Sequence, residues 1–323
     1  MAGNRLPGWQ QCSRYTFGAH HVTRCWLWLL LAGLWGLPAD AGTLPAGPLL
    51  PDEPLTVAVL PPDVMDDTGG VTPELLLVAL EQTLARQGLE VVPRAQVLSA
   101  VPAGMPLDFN PTCADARALG AQVGSEGYVL ARLRRGERSL SDRQTVAGGT
   151  LHLFAVETRT GQLVASEHVD FVEGKEGFLP AVAAGITAAA QRFAADWRRV
   201  RGQAPGMGCA SGGDDTDEAL DLRDGELPPG VTAPMPLVRV RPEPTEPARA
   251  AGVTATVMVE VCVGQDGQVR EVVVVRWAGY GLEAAVEKAL RATRFRPALR
   301  QGKPVPAWFV AAFNFRSSPV DDR

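Results

Sequence analysis

The stretch TATVMVEVCV, at residues 254–263, decides the fold of the carboxy-terminal part of this chain. Valine occupies every second position from Val257 to Val263, with Met258, Glu260 and Cys262 between them. This alternation predicts a strand with one buried face. Gln265-Asp266-Gly267 follows and predicts a tight turn, because glycine adopts positive φ without a steric penalty.

The residues after this turn complete a small unit. A β-branched run at 272–275 predicts a second strand. Apolar residues then recur at the i, i+3, i+4, i+7 and i+8 positions of one helix face, namely Leu282, Ala285, Val286, Ala289 and Leu290. A last strand is predicted at 307–315, so the order is β-β-α-β.

Residues 237–316 resemble the TonB C-terminal domain family. The matching residues, in order, are Ala248-Arg249 with Gly252, Asp266-Gly267, the helix at 282–290, Arg294-Phe295-Arg296-Pro297-Ala298, and Gly302 with Pro304-Val305. The chain departs from the family at Pro244-Thr245, where Tyr-Pro is usual, and at Thr293, where an aromatic residue is usual. The resemblance implies capture of a short extended peptide from an outer-membrane receptor.

The last strand is the predicted edge for that capture. Phe309, Phe313 and Phe315 share one face and should pack on the helix. The predicted partner-binding residues take the other face, namely Trp308, Val310, Ala312 and Asn314. Arg294 and Arg296 are predicted to orient an acidic peptide, although a solvated or carboxylate-paired role fits them equally.

Residues 52–201 predict a separate α/β domain with the order β-α-β-α-α-β-β-β-α. Thr72 and Pro73 begin a helix that Gly88 follows, and Gly120 is predicted to end the helix at 113–119. This pattern resembles the amino-terminal domain of TolB and lipoprotein domains of the CsgG and LpoB kind. The predicted fold class of the whole chain is α+β.

Residues 202–236 separate the two domains. Glycine, proline and acidic residues dominate this stretch, which shows no hydrophobic periodicity. Such a composition predicts a flexible acidic linker.

The amino terminus predicts export. Arg24 precedes thirteen uncharged, mostly apolar residues, and Ala39-Asp40-Ala41 follows Pro38. A basic start, a short apolar core and small residues at the cleavage site are typical of a Sec-type signal peptide, here residues 1–41. The predicted location is the periplasm. An uncleaved inner-membrane anchor, facing the periplasm, is the alternative, and Val22 is a second candidate start of translation.

Cysteine usage follows from export. Removal of the signal leaves Cys113, Cys209 and Cys262, and an oxidising compartment favours one disulfide. The preferred pair is Cys113 with Cys209, because Cys262 alternates out of phase with the inward valines. No C-x-x-C motif and no histidine cluster is present in the sequence, so no metal site is predicted.

The charge distribution and missing motifs narrow the function. The chain has a net charge of −5, whereas residues 237–316 contain 12 basic and 7 acidic residues. The sequence has no basic stripe with interleaved aromatic residues, so nucleic-acid binding is not predicted. G-x-S-x-G, P-loop and H-E-x-x-H motifs are absent, so we predict no enzyme, no cofactor and no small-molecule substrate.

Three hypotheses follow. The first is a periplasmic protein that binds envelope proteins by strand addition to its TonB-like domain. The second is an inner-membrane energy transducer for TonB-dependent outer-membrane transport. The third is a regulator of peptidoglycan synthesis acting through residues 52–201. The sequence leaves open whether the edge strand is free or paired in a homodimer.

Overall fold

A computed structural model describes residues 54–65, 72–102, 104–141, 144–172, 179–201 and 219–316. These residues belong to one compact unit that begins at Asp52. Within it, we call residues 54–201 the amino-terminal domain and residues 219–316 the carboxy-terminal domain. The predicted signal segment 1–41 and residues 202–218 of the predicted linker lie outside the described residues.

The amino-terminal domain contains a sheet between two layers of helices. Its elements are β1 (Thr56–Val59), β2 (Asp63–Met65), α1 (Pro73–Arg86), β3 (Glu90–Val91), α2 (Arg94–Ala100), α3 (Cys113–Val123), β4 (Gly127–Ser141), β5 (Gln144–Glu157), β6 (Leu163–Val172) and α4 (Leu179–Arg201). The strand order is β3-β1-β4-β5-β6, and β2 also pairs with β4. β1 pairs in parallel with β3 and β4, whereas β4, β5 and β6 are antiparallel.

Local sequence explains most helix ends. The Thr72 side chain accepts from the Leu75 amide at the start of α1, as the Thr72-Pro73 pair predicts. The predicted end of α3 at Gly120 is wrong, because α3 continues to Val123 and ends at Gly124, which has φ of 70°. Gly120 serves close packing instead, since a Cβ there would lie 2.3 Å from the Thr158 hydroxyl oxygen.

The two faces of this sheet bury separate clusters. Leu80 of α1 with Phe193 and Trp197 of α4 pack on one face. Tyr128, Phe154 and residues of α2 and α3 pack on the other, and this second cluster also includes Trp277 from the carboxy-terminal domain. The hydrophobic core is therefore shared between the domains.

The carboxy-terminal domain contains the predicted β-β-α-β unit with additional short strands. Its elements are β7 (Leu220–Asp221), β8 (Val231–Thr232), β9 (Met235–Pro236), α5 (Glu246–Ala250), β10 (Ala255–Val263), β11 (Val269–Arg276), α6 (Leu282–Arg291), β12 (Phe295–Arg296), β13 (Ala298–Arg300), β14 (Lys303–Val305) and β15 (Ala307–Phe315). The main sheet has the order β11-β10-β15-β7, and α6 packs on one face through Leu282, Val286 and Leu290.

Residues 219–236 do not form the predicted flexible linker. They form β7, β8 and β9, which pair with β15, β13 and β12 of the carboxy-terminal domain. Each of these strands contains two residues, too few to show the alternation by which a strand is recognised in a sequence.

The described helices and strands confirm the predicted α+β fold class. Within the described ranges, no helix has the length and apolar character needed to cross a membrane.

Candidate functional site

The outer edge of β15 is covered at one end only. β7 pairs in parallel with β15 at Ala307 and Trp308. The Leu222 amide donates to the Trp308 carbonyl oxygen at 2.9 Å, so the main-chain groups of Trp308 point toward this edge. Because main-chain direction alternates along a strand, those of Val310, Ala312 and Asn314 point the same way. On this outer side of β15, away from β10, no strand among the described residues pairs with these three.

The side chains of the predicted partner-binding residues share the face opposite α6. Trp308 and Val310 are half-buried, whereas Ala312 and Asn314 are exposed. The Asn314 side-chain oxygen accepts from the Thr256 hydroxyl at 2.7 Å, which fixes its orientation. The structure therefore brings Trp308, Val310, Ala312 and Asn314 together on one strand, beside an open length of main chain.

An ion-pair cluster holds β7 against the covered end. Arg223 contacts Asp221 at 2.6 Å and Glu260 of β10 at 2.8 Å, and its guanidinium carbon lies 5.6 Å from the centre of the Trp308 ring. The hydrogen bonds from Arg223 lower the pKa of Asp221 to about 2, and the bond to Asp221 raises the pKa of Arg223. Both residues are charged at neutral pH, and they mark where the covered part of the edge ends.

Arg294 and Arg296 lie elsewhere, on and beside β12. Arg296 is paired with Met235 of β9, and Phe295 between the two arginines packs on Phe309 with ring centres 5.9 Å apart. No hydrogen bond or ion pair within the described part of the chain joins either arginine to the open edge of β15. The structure thus separates these two predicted residues from the other four.

The opposite edge of the sheet, along β11, is covered by the amino-terminal domain. Thr112 forms a β-bridge with Arg276, and the Arg276 guanidinium donates to the Asn110 carbonyl oxygen at 2.8 Å. The Asn110 side chain accepts from the Thr256 amide and donates to the carbonyl oxygens of Thr256 and Trp277. We call the contact of residues 110–113 with the carboxy-terminal domain, together with the loop 277–281, the interdomain seam.

The loop 277–281 connects β11 to α6 and enters the amino-terminal domain. Trp277 is fully buried, and its indole donates to the Gly161 carbonyl oxygen at 3.0 Å. Gly279 has φ of 76°, and a Cβ there would lie 2.4 Å from the Phe154 ring. Tyr280 has φ of 58°, unusual for a residue other than glycine. The sequence analysis did not predict these contacts. Two aromatic residues among glycines at 277–281 were the only local signal.

Burial shifts the pKa of two ionisable groups at the seam. His152 is 2% exposed, and neither ring nitrogen has a hydrogen-bond partner among the described residues. Burial, followed by the charge of His168, lowers its pKa to about 4. Its ring packs edge-on against Tyr280, with centres 4.7 Å apart. Burial raises the pKa of Glu283, whose carboxylate accepts from the amides of Ala278 and Gly279 at the start of α6. Both groups lie beside the loop 277–281, which enters the amino-terminal domain.

The predicted disulfide between Cys113 and Cys209 is wrong. Cys113 is a free, buried thiol that donates to the Val274 carbonyl oxygen at 3.3 Å, and burial raises its pKa to about 11. Cys262, predicted to remain a thiol, is disulfide-bonded, and its partner lies outside the described residues. Cys262 faces away from the inward valines, as predicted, and is paired with Trp308 in the sheet. Nothing in the sequence placed Cys113 beside β11.

Comparison with known proteins identifies the carboxy-terminal domain. Residues 244–317 match the family described as the C-terminal domain of the Gram-negative bacterial TonB protein. The predicted resemblance of this domain to TonB is therefore confirmed. No curated protein sequence matches the chain.

Similar solved structures include three bacterial proteins. The C-terminal domain of TonB from Pseudomonas aeruginosa is 23% identical, with 30% of this chain and 92% of that chain covered and a TM-score of 0.22. The C-terminal domain of LpoB from Escherichia coli is 15% identical, with 37% and 83% covered and a TM-score of 0.27. The PelC dodecamer from Paraburkholderia phytofirmans is 11% identical, with 43% and 87% covered and a TM-score of 0.29.

Proposed function

We propose that this chain is a non-enzymatic TonB-type envelope protein that binds an extended partner peptide as an added strand on β15. The proposal rests on one observation above all. The main-chain groups of Val310, Ala312 and Asn314 face outward on a sheet edge, beyond the point where β7 ends. An unpaired edge favours addition of another strand, because its N–H and C=O groups are already aligned.

The covered end gives the added strand a defined start. β7 occupies the edge at Trp308, so a partner peptide has room only from Val310 onward. Main-chain hydrogen bonds supply affinity that depends little on sequence, whereas Val310 and Ala312 contact alternate side chains of the peptide and supply choice. We expect apolar or small residues of the peptide opposite these two positions.

The interdomain seam supports the same proposal, because it lies at the opposite edge of the sheet. The amino-terminal domain covers β11 through Thr112 and Asn110, so β11 is not available for strand addition at these positions. We place the protein in the periplasm, exported by residues 1–41, with other envelope proteins as its partners.

The energy transducer and the peptidoglycan-synthesis regulator remain the alternatives. The first requires that residues 25–37 stay in the inner membrane, and the second requires that residues 52–201 bind a synthase. No contact among the described residues favours either of them.

The experiment is a titration of the full chain with ten-residue peptides from the amino-terminal segments of outer-membrane receptors. Amide exchange is followed at single residues by NMR. We expect a bound peptide to slow exchange at Val310, Ala312 and Asn314, whereas Phe309 and Ala311, whose amides face β10, should change little.

A matched pair of variants tests the main-chain contact. Ala312→Pro removes the outward N–H, whereas Ala312→Val keeps it and enlarges the side chain. We expect roughly five- to tenfold weaker peptide binding for the proline variant and near-normal binding for the valine variant. Equal binding by both variants, with the fold retained in each, would contradict strand addition on this edge.

A further inference from the structure

Apolar and basic side chains alternate on the outer face of the ribbon formed by β9 and β12. Met235 is paired with Arg296, and the Leu237 amide donates to the Arg294 carbonyl oxygen, so Leu237 lies opposite Arg294. Residues two apart on a strand share a face. All four side chains therefore lie on one face, while Phe295 between the two arginines is buried on the other.

The apolar members of this face are unusually exposed. Met235 is 61% exposed, Leu237 63% and Val238 75%, within four consecutive residues. A contiguous run of exposed large apolar side chains is uncommon in a soluble domain and marks a surface that binds something apolar.

Exposed arginines follow these apolar residues in the chain or lie across the ribbon from them. Arg239, Arg241 and Arg296 are exposed, and no ion pair to them is present in the described part of the chain. By contrast, Arg223, Arg249 and Arg270 each contact a carboxylate. With the Gln268 amide turned so that its oxygen faces Arg294, that oxygen accepts from the Arg294 guanidinium. We call these exposed residues of segment 235–241, together with the two arginines across the ribbon, the basic apolar strip: Met235, Leu237, Val238, Arg239, Arg241, Arg294 and Arg296.

The free edge of β9 is a poor site for a peptide strand. Leu237 directs its amide toward β12, so Pro236 faces the free edge, and proline has no N–H to donate there. Binding at the strip therefore depends on side chains: flexible apolar groups together with guanidinium groups. This combination suits the boundary between headgroups and acyl chains, where apolar side chains enter the bilayer and arginines contact phosphate.

We propose that the basic apolar strip binds the anionic phospholipid surface of a membrane. The charge of Arg239, Arg241 and Arg296 selects anionic headgroups, and Met235, Leu237 and Val238 insert. Membrane contact at the strip does not use β15, so the open edge stays available for a partner peptide.

The test is flotation of the full chain with vesicles of phosphatidylethanolamine containing about 30% phosphatidylglycerol, compared with vesicles of phosphatidylcholine alone. We expect stronger partitioning onto the anionic vesicles, with the excess removed at high salt. Replacing one arginine should weaken the anionic preference about fivefold, so Arg239→Gln with Arg296→Gln should weaken it about 25-fold. Met235→Ser, Leu237→Ser and Val238→Ser together should also abolish the excess.

The matched control carries Leu75→Ser, Met105→Ser and Arg86→Gln, which replace exposed residues of the amino-terminal domain. This control should bind as the unaltered chain does. Equal binding to both kinds of vesicle, or equal loss in the control, would overturn the proposal and assign the binding to another segment, such as residues 25–37.

A local readout removes dependence on overall binding. Hydrogen exchange of segments 235–241 and 294–296 should slow when anionic vesicles are added, and exchange in these segments that is unchanged by vesicles would overturn the proposal. The Ala312→Pro variant separates the two proposals, because it should weaken peptide binding and leave vesicle binding intact.

Discussion

The carboxy-terminal sheet has two outer edges, and the chain treats them in opposite ways. Asn110, Thr112 and Cys113 cover β11 with hydrogen bonds and a β-bridge, whereas β7 covers β15 only as far as Trp308. Covering one edge prevents uncontrolled pairing there. The contrast supports our proposal that the open length of β15 takes a partner strand, since the amino-terminal domain already covers β11 at the opposite edge.

The largest expected effect is at the covered edge, from Trp277→Ala. Trp277 is fully buried in the core of the amino-terminal domain, so its loss should lower the free energy of unfolding by about 3–5 kcal/mol. Trp308→Ala, at a half-buried position on β15, should lower it by only about 1 kcal/mol. Urea denaturation measures both, and equal costs would remove the distinction between the two edges.

The second effect is a dependence of the protein's stability on pH, which comes from His152 beside the covered edge. Its pKa is lowered from 6.5 to about 4, so between these values the unfolded chain binds a proton that the folded chain does not. The free energy of unfolding is therefore undiminished by His152 above pH 6.5. It declines as the pH falls toward 4, by about 3 kcal/mol in total. Urea denaturation between pH 7.5 and 4 measures the decline.

The groups that face His152 are His168, Asp170, Arg132 and Arg134, and Tyr280 of the seam packs on its ring. His152→Gln should remove most of the slope of stability against pH between 6.5 and 4, whereas His168→Gln should retain it. An unchanged slope in the His152→Gln variant would show that other groups produce the pH dependence.

A smaller effect compares two glycines with similar backbone conformations. Gly279 and Gly302 have φ of 76° and 82°, so alanine is strained at both. Of the two, only Gly279 would bring the new Cβ against a neighbour, since no described residue lies within 4 Å of a Cβ at Gly302. Gly279→Ala should therefore destabilise by about 1–3 kcal/mol more than Gly302→Ala, measured by urea denaturation. Equal losses of stability in the two variants would mean that the residues around Phe154 shift readily to make room for the new Cβ.

The smallest expected effect is at the boundary of the open edge. Arg223→Gln removes a partly exposed ion pair with Asp221 and should lower stability by less than about 1 kcal/mol. Stability from the lowered pKa of Asp221 is present above pH 3.8 and lost as the pH falls toward 2. The informative readout is amide exchange at Trp308, which should become faster if Arg223 holds β7 in place.

Much of this architecture follows from local sequence, because it depends on periodicity and capping. The predicted last strand coincides with β15 (Ala307–Phe315), and Thr72-Pro73 correctly begins α1. The alternation of valines in β10 also places Cys262 on the opposite face. Regular elements repeat a pattern over many residues, and such a pattern is visible without tertiary structure.

The missed features depend on contacts between distant residues. Asn110 bonds to Thr256 and Trp277, and no local pattern marks an asparagine for such a role. The segment 219–236 has the composition of a linker, and its strands β7 and β9 contain two residues each, although they pair with β15 and β12. Cys113 is a free thiol that packs beside β11. The spacing of cysteines in the sequence does not reveal that neighbour.

The most direct test of the open edge is residue-resolved amide exchange along β15 in the free protein. Our account predicts fast exchange at Val310, Ala312 and Asn314, and slow exchange at Phe309, Ala311 and Phe313, whose amides face β10. Addition of a receptor peptide should then slow the first set alone. Equally slow exchange in both sets before any peptide is added would show that the edge is already covered, and would contradict the account.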